Sequence, residues 1–256
     1  MKEIISKKIE LPNEQEFAEL AIISDVHYGN KTCAKEFFEF VMDWAYKNPH
    51  VYVITNGDLL ECSIRDSVGL YDQNVEIDDQ IDYILDKFSP LAEENRLIGM
   101  LRGNHERRVS KLTNMDLTKR MANDLGVPYG YRGMFFEIRT KTESQRKHQR
   151  YTMYGTHGSS GAWTTGGKIN ACMRLLQAVE AELYFMGHVH ELLHITIPRK
   201  RVDRGSVQEI PTHFVLTGSY LEYWESYAQE KGYPPTALGS PKIKLHTKTH
   251  RMSVSA

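Results

Sequence analysis

Between residues 20 and 190, five short apolar runs each stop at a cluster of Asp, His, Asn and Gly. Leu20–Ser24 leads into Asp25-Val26-His27, Val51–Thr55 into Gly57-Asp58, and Arg96–Leu101 into Gly103-Asn104-His105-Glu106. Tyr151–Thr156 leads into His157-Gly158, and Leu183–Met186 into Gly187-His188-Val189-His190. Amphipathic segments separate the first three runs. In Ala34–Lys47 the residues Phe37, Phe38, Val41, Trp44 and Ala45 share one helical face, and in Ile77–Glu94 so do Ile77, Ile81, Ile84, Leu85 and Phe88. Strands alternating with helices predict a largely parallel sheet covered on both faces. Such a sheet gathers the carboxyl ends of its strands, and with them the polar clusters, along one edge.

The second half reads as richer in strands. Met134–Thr140 and Tyr151–Thr156 flank the polar Lys141–Arg150, which predicts a hairpin with a solvated tip. Lys168–Ala181 has helical periodicity, Leu193–Pro198, Thr212–Thr217 and Lys242–His246 read as strands, and the aromatic Leu221–Lys231 reads as helix-like. No repeat or Gly/Ser linker divides the 256 residues, so the expectation is one domain spanning 1–256. The formal net charge of -1 excludes bulk attraction to nucleic acid or membrane and leaves only local patches to provide it. Cys33, Cys62 and Cys172 form no Cys-x-x-Cys, the start is charged, and no stretch is apolar enough to span a membrane. These features point to a cytoplasmic protein and leave its oligomeric state open.

Asp25, His27, Asp58, Asn104, His157, His188 and His190 make a mixed oxygen and nitrogen donor set of the kind that holds two divalent ions. Two such ions ~3.5–4 Å apart activate a water and neutralise phosphoryl oxygens, while neutral His and Asn donors keep the site open to an anion. Glycines beside the ligands (Gly57, Gly103, Gly187) allow tight turns and close backbone approach.

In this order the blocks Asp-x-His, Gly-Asp, Gly-Asn-His-Glu, a later His and Gly-His-x-His resemble the calcineurin-like metallophosphoesterase superfamily, in the style of its small bacterial and phage-type members. The resemblance implies an α/β fold, a four-layer αββα sandwich of two mixed β-sheets flanked by helices. It places Asp25, His27 and His190 on one metal and Asn104, His157 and His188 on the other, with Asp58 bridging. Manganese is the expected ion, and iron and zinc suit the same donors. His105 becomes the catalytic residue that contacts the phosphate or protonates the leaving oxygen, with Glu106 available to orient it. Asn104, Arg102 and Arg107 are candidates to contact the substrate phosphate, and Arg108 stands beside them. The implied activity is hydrolysis of phosphate esters by metal-activated water or hydroxide. A phosphodiester, nucleotide or nucleic acid, is favoured over a phosphomonoester or phosphoprotein, because the Asp-Arg-Gly pattern of protein phosphatases is absent after Gly57-Asp58.

Several features admit other readings. His190-Glu191-Leu192-Leu193-His194 spells the His-Glu-x-x-His of zinc proteases, but β-branched residues and Pro198 follow where a helix is needed. A non-catalytic scaffold would have no need of the complete ligand set. Gly161–Lys168 only faintly resembles a phosphate-binding loop and reads as a loop at the site's rim. His148 is an alternative to His157. The basic groups Lys141–Arg150 and Arg199–Arg204 are solvated turns by default and a nucleic-acid track otherwise. The aromatic Tyr220–Tyr233 stretch either packs a helix or stacks bases.

Overall fold

The computed structural model describes residues 4–65, 67, 70–203 and 205–256. Two six-stranded sheets stack face to face. The first has the order β12-β11-β2-β3-β4-β5 and the second β1-β6-β7-β8-β10-β9. The first sheet contains β2 (Phe17–Ile23), β3 (Val51–Asn56), β4 (Leu97–Leu101) and β5 (Tyr129–Gly130), all parallel, with β11 (Lys242–His246) and β12 (Met252–Ser255) added antiparallel at one side. The second contains β1 (Ile4–Leu11), β6 (Met134–Thr142), β7 (Gln149–Thr156), β8 (Leu183–Met186), β9 (Leu192–Asp203) and β10 (Ser206–Thr217). There β7, β8 and β10 run parallel, and β6 and β9 run against them.

Alternation along each strand decides which layer a side chain enters. Leu20 and Ile22 of β2 join Phe136 and Ile138 of β6 and Leu183 and Phe185 of β8 in the core between the sheets. Ala21 and Ile23 of β2 face the other way, against α1 (Lys35–Lys47), α2 (Ile77–Glu93) and α4 (Leu117–Asp124). On the far side, Tyr184 of β8 and Phe214 of β10 pack against Ile169 and Cys172 of α5 (Thr165–Met173). The result is the four-layer α/β sandwich that the resemblance implies. Among the described residues, no helix is long and apolar enough to cross a membrane.

Three segments depart from expectation. The helix expected over 168–181 ends as α5 at Met173, followed by a 3-10 turn over Arg174–Gln177. The Tyr184 hydroxyl draws the next residues out of it, accepting from the Ala181 N–H at 2.8 Å and donating to the Val179 carbonyl at 2.6 Å. The aromatic Leu221–Lys231 is a loop with one short turn of helix, α6 (Tyr227–Glu230). It is pinned instead by a β-bridge from Leu221 to Cys33 and by the Glu222 N–H on the Thr32 carbonyl at 2.9 Å. Arg199, Lys200 and Arg201 lie in β9, paired with β10, rather than in a turn; Arg204 is outside the described residues.

Candidate metal centre

Both sheets deliver their polar clusters to one edge. The first sheet supplies Asp25 and His27 after β2, Asp58 after β3, and Asn104 as the first residue of α3 (Asn104–Thr113) after β4. The second supplies His157 after β7, and His188 and His190 after β8. All seven expected ligand residues converge. The donor atoms of Asp25, His27 and His190 lie mutually within 4.8 Å, as do those of Asp58, His157 and His188. Asn104 Oδ1 is 2.9 Å from His157 Nε2 and 2.5 Å from His188 Nδ1. Asp58 Oδ2 stands between the groups, 3.1 Å from His157 Nε2 and 3.9 Å from His27 Nε2. His148 is exposed in the β6–β7 hairpin, far from this cluster.

The backbone is strained to achieve this. Asp25, His27, Asp58, His188 and His190 all have positive φ, between 49° and 68°. Non-glycine residues adopt this left-handed conformation at a cost of order 1–2 kcal/mol each, and they persist there only where the surroundings over-determine them. Each strand end turns sharply so that the side chain of the turning residue aims inward. Gly103 is required by packing, because a Cβ there would overlap Asp58 and the Glu106 carboxylate. Gly187 is required in the same way, with Ser24 Oγ and Asp25 Oδ2 where its side chain would begin.

The histidines are held with one ring nitrogen free to face the centre. His157 Nδ1–H donates to the Asn56 carbonyl at 2.7 Å, which leaves Nε2 toward Asp58 and Asn104. His27 Nδ1 is 3.2 Å from Glu61 Oε2, which leaves its Nε2 toward Asp25, Asp58 and His190. A ring whose outer N–H is fixed by a carbonyl or carboxylate is the arrangement that orients metal-binding histidines.

Electrostatics make the same demand. Burial disfavours charge on Asp58, yet the surrounding His157, His105 and His27 rings outweigh it and hold the carboxyl well below the usual range. Asp25 is lowered for similar reasons, against its burial, by His157 and His190. In turn the two carboxylates push His157 up to about 10, overcoming its own burial. Two fully buried carboxylates among imidazoles form a centre that needs cations, and this donor set fits divalent metals in the protons' place.

Residues around the ligands sort differently from the sequence reading. Glu106 does not orient His105. Its carboxylate accepts from the N–H groups of Asp58 (3.2 Å), Leu59 (2.8 Å), Leu60 (3.2 Å) and Gly103 (3.1 Å), so it shapes the loop that carries Asp58. His105 is oriented by Glu61, whose backbone carbonyl accepts from Nδ1 at 2.7 Å and whose carboxylate is 3.7 Å away. Burial pulls His105 down to about 4, so the resting ring is neutral and its Nε2 accepts from Arg108 at 2.8 Å. His105 also comes close enough to His27 and Asp58 to join them in a third cluster of donors.

Arg102 and Arg107 do not line the cavity at this centre. Arg102 is buried against Asp116 at 3.0 Å, with its guanidinium 3.9 Å from the centre of the Tyr131 ring, and Arg107 is exposed outside the cavity. Helical spacing explains the exchange, because Arg108, three residues after His105, shares its face and lines the cavity. The protease reading also fails. Glu191 is paired with buried Lys168 at 2.9 Å, and His194 lies in strand β9 beside His213 rather than one helical turn from His190. Glu61, Asn56 and Lys168 have no motif of their own in the sequence and become visible only through these contacts.

A model of the calcineurin-like phosphoesterase family matches residues 18–192. Among solved structures, the chain is similar to a conserved Streptococcus pneumoniae protein described as a predicted phosphoesterase, with 14% identity over 94% of this chain and 90% of that one and a TM-score of 0.36. It is similar also to a double mutant of Entamoeba histolytica Vps29, with 13% identity over 92% of this chain and 89% of that one and a TM-score of 0.38. No curated protein matches at a significant level.

Proposed function

We propose, from the premise that this chain belongs to the calcineurin-like phosphoesterase family and is a metal-dependent hydrolase of phosphate esters, that it holds two divalent cations and favours phosphodiesters. Asp25, His27 and His190 would hold one cation, Asn104, His157 and His188 the other, and Asp58 would bridge them. Manganese is the ion expected, with iron or zinc acceptable to the same donors. The observation that carries this reading is the pair of donor clusters meeting at Asp58, with the outer nitrogens of His27 and His157 already committed to Glu61 and Asn56.

When bound, the cations supply an activated water and offset the charge of the phosphoryl oxygens. The chain's own residues do the rest. Arg108 turns its guanidinium from His105 Nε2 to a phosphoryl oxygen, the role for which Arg102 and Arg107 are candidates by sequence alone. His105 Nε2 is then free to take up the proton lost by the attacking water and pass it to the leaving oxygen, and the Glu61 carboxylate 3.7 Å from Nδ1 steadies the protonated ring. The preference for diesters has two supports. Leu59-Leu60-Glu61 follows Gly57-Asp58 in place of the phosphatase pattern, and Glu61 and Glu222 on the cavity wall disfavour the second charge of a monoester. The free thiols Cys33, Cys62 and Cys172 suit a cytoplasmic setting.

Purified protein with Mn²⁺ is expected to hydrolyse bis-p-nitrophenyl phosphate faster than p-nitrophenyl phosphate, and EDTA should abolish both activities. A metal-loaded protein that leaves both reporters intact refutes the reading.

A further inference from the structure

The cavity at the candidate metal centre extends well beyond the ligands. It encloses about 370 Å³, within the range of sites for small molecules. His105 and Arg108 line part of it; another part of the wall comes from residues 219–236, beyond residue 192, where the family match ends. Leu221, Tyr223, Ala228, Tyr233 and Pro234 give that wall an apolar and aromatic lining, interspersed with Ser219, Glu222, Ser226 and Thr236. Trp163, from the loop after His157, packs its ring 4.7 Å from that of Tyr233 and joins the two sides of the rim.

This wall is registered on the metal ligands. The Tyr220 N–H donates to the Asp25 carbonyl at 2.9 Å, the Ala34 N–H to the Tyr220 carbonyl at 2.7 Å, and the Glu222 N–H to the Thr32 carbonyl at 2.9 Å. The Tyr233 N–H donates to the Ala228 carbonyl at 2.9 Å and folds the segment back on itself. An irregular stretch therefore sits in fixed register with the loop that carries Asp25.

Charge along the cavity limits what enters. Of its lining cations, Lys168 is neutralised by Glu191 and only Arg108 lacks a carboxylate partner among the described residues. Glu222 lines the same space, as does Asp72, which is paired with Lys31 at 2.7 Å. The basic clusters that would track a polynucleotide lie elsewhere. β7 runs from the hairpin tip toward His157, and β9 runs away from His190 toward Arg199–Arg201. Both clusters thus stand at strand ends roughly 25 Å or more from the centre.

We infer that residues 219–236 form a subsite for one ring-sized organic group, such as an aryl group or a single nucleobase, of a small phosphate ester, and that the interior of a polynucleotide is not the substrate. The inference rests on the proposed phosphoryl site at the metals and names what lies beside it.

The test is calorimetric binding to the Mn²⁺-loaded protein of inorganic phosphate, methylphosphonate and phenylphosphonate, which share a phosphoryl centre and differ in the attached group. Phenylphosphonate should bind at least tenfold tighter than methylphosphonate. Tyr233→Ala and Tyr223→Ala should each collapse that ratio toward one while leaving phosphate affinity within about twofold. Tyr233→Phe, which retains the ring, should preserve the ratio. A twenty-residue oligothymidylate should displace phenylphosphonate no better than thymidine monophosphate does. Equal binding of the two phosphonates by wild type, or an unchanged ratio in both alanine variants, overturns the inference and leaves the phosphoesterase reading standing. Failure of all three anions to bind overturns the inference, and the phosphoesterase reading falls with it only if bis-p-nitrophenyl phosphate is also left intact.

Discussion

Glu106→Gln isolates what organises the bridging position. In the native loop one carboxylate accepts four backbone N–H groups: Oε1 takes Leu59 and Leu60, and Oε2 takes Asp58 and Gly103. Glutamine keeps one carbonyl oxygen and replaces the other with an NH₂ donor. Whichever way the amide turns, two buried N–H groups then face a donor. An unsatisfied buried N–H costs about 1–3 kcal/mol, so the variant should lose roughly 2–6 kcal/mol of stability. Burial, together with the neighbouring Asp58 charge, pushes Glu106 up to about 7, against the pull of its N–H partners. The comparison is therefore made at pH 8 and in EDTA, where the carboxylate is ionised and metal binding adds nothing. Urea denaturation should show a lower midpoint with an unchanged slope. Re-addition of Mn²⁺ should leave Glu106→Gln short of metal by elemental analysis, because Asp58 rides on the disturbed loop. A stability loss below about 0.5 kcal/mol with full metal occupancy would refute the assignment of Glu106 as the organiser of this loop.

His105→Ala should retain wild-type metal content while kcat falls by roughly 10²–10⁴, the usual contribution of a positioned acid; loss of metal comparable to that of Asp58→Ala would make His105 a ligand instead. Lys168→Met strands the Glu191 carboxylate and should destabilise by about 3–5 kcal/mol, whereas Lys168→Met combined with Glu191→Leu should recover most of that in thermal melts. A double variant as unstable as the single one would contradict the pairing argument. Burial, reinforced by the His194 ring, pulls His213 down to about 4. The unfolded chain takes up this proton near pH 6.5 and the folded state resists it, so about 3 kcal/mol of stability should be lost as pH falls from about 6.5 to 4. His213→Gln should flatten that part of the stability profile, and an unchanged slope would place the acid sensitivity elsewhere.

Much of the frame was legible because its signals are local. Short continuous apolar runs marked β2, β3, β4 and β8, and helical spacing marked α1 and α2 to within a residue at either end. The seven ligand-type residues were legible because each follows a strand, and parallel strands bring their ends together. Where the reading failed, a distant partner decided. The helix expected over 168–181 stops early because Tyr184 binds residues 179 and 181. The aromatic segment after Tyr220 is a loop because Cys33 and Thr32 capture it. Arg102 is held outside the cavity by Asp116 and Tyr131, neither of which carries a mark in the sequence.

The sequence by itself determined the strands that lead into the five polar clusters, the helices between the first three, the family, and which side chains are chemically able to hold metals. Those properties reside in residue type and spacing, which pattern can express. Only the tertiary structure decided that Glu106 serves the Asp58 loop, that Glu61 serves His27 and His105, and that Arg108 reaches the cavity. It alone showed that five ligand-bearing residues turn through positive φ and that residues 219–236 wall the site. Each of these depends on where two chain segments far apart in sequence come within hydrogen-bond reach, and that is settled by the packing of two sheets rather than by any one stretch of chain.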